Sequence, residues 1–221
     1  MSAWPRTCRK SAPIVEQLQR LADPGSRSRL PSTAVPRPPR IAPAGGIFHI
    51  TARGNRRQAI FLDDDDRRWF LRLFDAAVTK FQWTCHAYCL MGNHVHLLIQ
   101  IEDENLSEGL QWLFGRYAQD FNWRHGYDGH LLQGRFKSGT VDSNWHLLEL
   151  SRYIVNNPVR AGICATADDW PWSSYRAAVG TVKAPRFLTV DWLLEQFGHT
   201  AETRRTAYTT FVADGAIRAS P

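Results

Sequence analysis

Leu90-Met91-Gly92-Asn93-His94-Val95-His96-Leu97-Leu98-Ile99 reads as a tight turn running into a strand that carries two histidines two residues apart. Successive strand side chains point to opposite faces. His94, His96 and Leu98 therefore share one face, and Val95, Leu97 and Ile99 share the other. Two neutral imidazoles on one face can ligate a single cation. A half-exposed polar face has the same spacing, so the surrounding sequence has to decide between the two.

Working outward, 83–90 alternates as a preceding strand, and Met91-Gly92-Asn93 makes the pair a hairpin. On that strand Cys85 and Cys89 have the same parity and read as small core residues, while Tyr88 shares parity with His86. Upstream, 47–53 alternates as a first strand that Gly54-Asn55 ends, followed by the basic turn Arg53-Gly54-Asn55-Arg56-Arg57. Asp63 to Asp66 sit at the positive end of a helix over 65–81, whose Phe70, Leu73, Phe74, Ala77, Val78 and Phe81 recur at helical spacing. Downstream, a second helix over 104–124 carries Leu106, Leu110, Leu113, Tyr117 and Phe121 as one stripe facing the sheet. A short strand near 138–141 and a third helix over 143–156 follow, the latter stopping where Asn157 precedes Pro158. Short helices near 190–197 and 202–211 close the chain.

Strand, helix, strand, strand, helix, strand is the order of an α+β, ferredoxin-like split βαβ fold. Its helices cover one face of an antiparallel sheet and leave the other open for chemistry. Three segments are expected: a flexible basic arm over 1–40 with a short helix around 14–21, a catalytic domain over 41–142, and a C-terminal helical extension over 143–221 packed on it.

Composition narrows the class. The 221 residues carry a net charge of +6 and nine tryptophans, which suits a polyanionic partner with aromatic surfaces for stacking. No apolar run approaches the ~18 residues of a membrane span, and residues 1–40 lack a signal-peptide core, so a cytoplasmic protein without a membrane partner is expected. Cys8, Cys85, Cys89 and Cys164 form no Cys-x-x-Cys pair, which argues against a disulfide framework or a zinc cage.

A cation on His94 and His96 needs a third ligand and a substrate oxygen to polarise. Tyr117 is the leading nucleophile, since a phenolate can attack phosphorus and split strand transfer into two reversible steps. A free phenol has a pKa of about 10, so a base or the ion must help remove its proton. Tyr117 also lies inside an apolar stripe, as a core tyrosine would. Tyr153, Tyr127, Tyr175 and Tyr88 are rivals, and spacing does not exclude Tyr153 beside Arg152. For the third ligand, an ideal helix puts Asp120 about 60° from Tyr117 and Asn122 about 140° away, which favours Asp120. Arg53, Arg56, Arg57, Arg116, Arg124, Arg135, Lys137, Arg152 and Arg160, interleaved with Trp112, Trp123, Phe136 and Trp145, would suit the phosphates and unstacked bases of a single strand.

These motifs together resemble the REP-associated tyrosine transposases, single-tyrosine and insertion-sequence-200-like members of the HUH endonucleases. The resemblance is carried by the 47–55 and 90–99 stretches, Arg116-Tyr117 through Phe121-Asn122, and Gly134-Arg135-Phe136-Lys137. It continues through Leu150 to Gly162 and Pro171-Trp172-Ser173-Ser174-Tyr175. Gly92 stands where relatives often have proline, a small change at a turn. The resemblance implies a bacterial, nucleoid-associated enzyme that nicks single-stranded or hairpin DNA near palindromic repeats through a 5′-phosphotyrosine. It further implies Mg²⁺ or Mn²⁺ on His94 and His96, the nucleophile at Tyr117, and Asn122 as third ligand where geometry favours Asp120. Relatives occur as monomer or homodimer. Two alternatives stand beside it: a non-cleaving DNA-binding protein on the same fold, and a metal-dependent nuclease that uses water.

Overall fold

The structure, a computed structural model, describes residues 42–217, so the expected arm and its short helix lie outside the described residues. Four strands, β1 (Ile47–Arg53), β2 (Trp83–Leu90), β3 (His94–Ile101) and β4 (Lys137–Val141), form one antiparallel sheet in the order β2-β3-β1-β4. Helix α1 (Asp64–Phe81) crosses from β1 to β2, and α2 (Leu106–His125) crosses from β3 to β4. This is the split βαβ arrangement that the element order anticipates.

Local chemistry sets the helix ends. The Asp63 carboxylate accepts from the Asp66 amide at 2.9 Å, and three more aspartates fill the first turn of α1 where the helix dipole favours them. Helix α2 ends at Gly126, whose φ of 64° is the left-handed cap that glycine adopts without strain. The stripes anticipated for α1 and α2 are buried together with Phe48, Ile50, Ala52, Val95, Leu97, Ile99 and Ile101, which makes one face of the sheet the main core.

The opposite face is only partly open. Helix α3 (Asn144–Val155) packs across β2 and β3, and its Leu147 and Ile154 are buried with Ala87, Cys89, Met91 and Leu98. Helix α4 (Asn157–Arg160) follows directly. Further short helices, α5 (Tyr175–Val179) and α6 (Asp191–Glu195), and the longer α7 (Ala201–Ile217) build a second small core around Val155, Tyr175 and Tyr208.

One strand departs from simple alternation. The β2–β3 register shifts between Cys85 and Ala87, so His86 sits in a bulge. Cys85 and Tyr88 consequently face the main core, while Ala87 and Cys89 face α3. The cysteines do not share a face, and Tyr88 does not share one with His86, which bonds Gln100 at 3.1 Å.

Candidate active site

The face of β3 that carries Leu98 toward α3 also carries His94 and His96, by strand alternation. Pairing brings in two strand neighbours: Thr51 lies opposite His96 and Arg53 opposite His94. His49, one step further along the same face of β1, reaches diagonally to His96, with Nε2 and Nδ1 2.9 Å apart, ring centroids 5.1 Å apart and ring planes 17° apart. The rings of His94 and His96 lie 5.0 Å apart, edge to face.

Each ring is held by its Nδ1. Asn93 donates through Nδ2 to the Arg57 carbonyl at 3.0 Å, so its Oδ1 faces His94 Nδ1 at 2.7 Å and that ring nitrogen must donate. The Arg57 carbonyl comes from a turn in which Arg56 and Arg57 both hold left-handed backbone, φ 52° and 62°. His94 is thereby left with its Nε2 lone pair for a ligand. His96 Nδ1 is engaged by His49 and, at 3.4 Å, by Thr51 Oγ1. Burial first, then Arg53, pulls His94 down to about pKa 4. His96 falls to about 3, through burial first and then through His49, His94 and Arg53. Both rings are therefore neutral near pH 7, the form that binds metal. Two oriented, neutral imidazoles fit a divalent cation whose remaining positions oxygen ligands would fill.

Tyr153, on α3, stands over this cluster. Its ring lies 5.7 Å from that of His96 and 6.2 Å from that of His49, edge-on to both. The residue is 37% exposed, and the Arg160 guanidinium sits 5.3 Å from the ring centroid.

Tyr117 is elsewhere. It is 1% exposed on the far side of the sheet, packed against Phe61, Phe70 and Phe121, and donates its hydroxyl hydrogen bond to the Ile60 carbonyl. Burial, reinforced by Asp66, pushes that phenol well above its ordinary pKa. The sheet itself separates Tyr117 from His94 and His96, so the two parts of the expected site are not brought together. The same displacement holds for both expected third ligands on α2. Asp120 accepts from Trp69 Nε1 at 3.0 Å and Arg116 Nε at 2.9 Å, and Asn122 donates to the Gly129 carbonyl at 2.9 Å.

Residues 45–157 match the family described as IS200-like transposases. The chain belongs to that family. Among similar proteins, this transposase is 23% identical over 153 residues to a Haemophilus influenzae protein named as a REP-associated tyrosine transposase, covering 61% of this chain and 82% of that one. A solved REP-associated tyrosine transposase bound to a REP hairpin superposes with a TM-score of 0.56 at 18% identity, over 74% of this chain and 92% of that chain. At that identity the likeness speaks for the fold.

The basic residues of the transposase divide into two groups. Arg116 pairs with Asp120, Arg124 with Asp63 and Asp66, and Arg152 with Glu149 while stacking on Phe211 of α7 at 4.4 Å. Arg53, Arg56, Arg57, Arg135, Lys137 and Arg160 form no ion pair among the described residues. Lys137 pairs in register with Thr51, which puts it on the histidine face with Arg53. A second set of potential ligands, Asp63, Asp66 and His125, gathers on the α1–α2 side of the sheet within 4.8 Å. Arg124 reaches Asp66 at 2.6 Å and Asp63 at 2.8 Å there, so the carboxylates already have a cation. No helix among the described residues is long and apolar enough to cross a membrane.

Sequence reasoning did not place His49 beside His96, and it put Tyr117 ahead of Tyr153, the tyrosine that the structure sets beside the histidines. The available signal for Tyr153 was its place beside, not within, the apolar positions Leu147 and Ile154 of its helix.

Proposed function

We propose that this transposase cuts and rejoins single-stranded DNA with Tyr153 as nucleophile, at a divalent metal site built on His94 and His96. The observation that carries the reading is the packing of Tyr153 against His96 and His49 on the exposed face of the sheet. The phenol gives up its proton to solvent and its oxygen attacks the scissile phosphorus; the bond from phosphorus to the 3′ oxygen breaks, and that oxygen takes a proton from solvent and leaves as a 3′ hydroxyl. The product is a 5′-phosphotyrosine, and attack by a second 3′ hydroxyl reverses the step onto a new strand. The Arg160 guanidinium over the ring makes a cation–π contact that holds the side chain in place. Mg²⁺ or Mn²⁺, when bound, would neutralise the phosphate oxygens and align them for displacement.

Among the described residues no further His, Cys, Asp or Glu completes a three-donor group with the histidine pair, so the third ligand oxygen is assigned to an amide. Asn156 is turned away, donating to the Val212 carbonyl at 2.7 Å. Asn157, one turn beyond Tyr153, donates Nδ2 back to the Tyr153 carbonyl at 2.9 Å and keeps its Oδ1 as a ligand atom. The REP hairpin bound by one similar transposase supports a hairpin-forming single strand as substrate here, and Arg53 and Lys137 beside the histidines suit its phosphates.

The test uses the full chain, Mn²⁺ and end-labelled single-stranded hairpin DNA. A covalent protein–DNA band on a denaturing gel, mapped by mass spectrometry to Tyr153 and lost in Tyr153→Phe, is the expected result. An adduct on Tyr117, or cutting without any adduct, overturns the assignment; the latter outcome points to water as nucleophile.

A further inference from the structure

We infer that His49 is a positioning residue: its Nε2 accepts a hydrogen bond from His96 Nδ1 and so keeps the His96 Nε2 lone pair available to the metal. The inference rests on the metal site proposed above. Neutral imidazole carries one proton, on one nitrogen or the other. For His94 the Asn93 amide decides which, because its orientation is fixed from the other side by Arg57. For His96 the partner is another imidazole at 2.9 Å, and Thr51 Oγ1 at 3.4 Å can either donate or accept. If His49 donated, the proton of His96 would sit on Nε2 and the ring could not ligate. If His49 accepts, Nε2 is free. With ring planes 17° apart, centroids 5.1 Å apart and the two nitrogens 2.9 Å apart, the rings meet nearly edge to edge in one plane, as such a bond requires. His49 also touches the edge of Tyr153, so one side chain bridges a metal ligand and the nucleophile. Outer-shell partners of this type typically matter by about 10–100-fold in metal affinity.

The experiment titrates Mn²⁺ into the full chain by calorimetry, without DNA, and compares His49→Phe with His49→Gln. Phenylalanine keeps a flat ring but offers no acceptor; glutamine places an amide oxygen near the position of Nε2. The expected result is a loss of Mn²⁺ affinity of about 10–100-fold in His49→Phe and recovery of most of it in His49→Gln. Equal affinity in His49→Phe and wild type overturns the inference, and so does failure of glutamine to rescue. His94→Ala separates this from the parent reading: if wild type binds Mn²⁺ no better than His94→Ala, the metal site itself fails and His49 loses its role with it. Should His49→Phe not fold, long-range imidazole ¹H–¹⁵N spectra of the wild-type protein decide instead. His96 as the Nδ1–H tautomer supports the proposal, and as the Nε2–H tautomer overturns it.

Discussion

Two tyrosines stand on opposite sides of the sheet, Tyr117 in the core and Tyr153 beside the histidines. Tyr117 donates to the Ile60 carbonyl inside an aromatic cluster, so Tyr117→Phe strands a buried acceptor and is expected to cost about 1–3 kcal/mol of stability. DNA cutting per folded molecule should be unchanged, which thermal melts and a single-turnover cutting assay check together. Arg57 is a second residue with two duties. Its left-handed φ of 62° costs a non-glycine residue about 1–2 kcal/mol, while its carbonyl holds the Asn93 amide that orients His94. Arg57→Gly should therefore raise the melting temperature and weaken DNA binding; a variant that melts lower would deny that the turn is strained. The contrast between Tyr117 and Tyr153 was legible in part. An apolar stripe buries whatever stands in it, and Tyr117 stands between Leu113 and Phe121, whereas Tyr153 flanks Leu147 and Ile154. Helical spacing alone does not show that the sheet stands between Tyr117 and the histidine pair.

At the scale of elements, strands and helices followed from periodicity because each buries one face, and the His94-x-His96 parity survived intact for the same reason. The bulge at His86 did not announce itself. A single extra residue flips every side chain before it relative to those after it, and only the pairing with β3 shows where it falls. Packing between α2 and β2 depends on a residue that periodicity treats as neutral. A methyl group on Gly109 would lie 2.2 Å from Trp83 Cζ2, and Trp83 is itself tied by Nε1 to Asn105 Oδ1 at 2.7 Å. Gly109→Ala must push the indole or the helix aside, an overpacking cost of about 1–3 kcal/mol. A denaturant titration reads it directly, and Gly109→Ala combined with Trp83→Phe should recover part of the loss. Without such recovery, the glycine is there for a reason other than this contact.

For the whole molecule, the sheet was expected to leave one face open, but the sequence did not indicate that the helix carrying Tyr153 would pack across part of that face beside the histidines. Nothing local in 144–155 says which side of the sheet the helix will choose; that depends on Leu147 and Ile154 meeting Ala87, Cys89 and Leu98 across long sequence separations. The same layering splits the charges of the +6 chain. Arg53 and Lys137 share the face with His94 and His96, while Arg124 is spent on Asp63 and Asp66 behind the sheet. If DNA runs over the histidine face, each contacted phosphate contributes about −0.7 to the slope of log affinity against log salt for a single strand. Arg53→Ala and Lys137→Ala should each make that slope shallower by about 0.7, measured by fluorescence anisotropy with a labelled single strand. Arg124→Ala should leave the slope alone and lower the melting temperature, because it deprives the buried Asp66 carboxylate of its cation. A slope that responds to Arg124 but to neither Arg53 nor Lys137 would move the nucleic acid to the α1–α2 side, where neither Tyr153 nor the histidine pair could reach it.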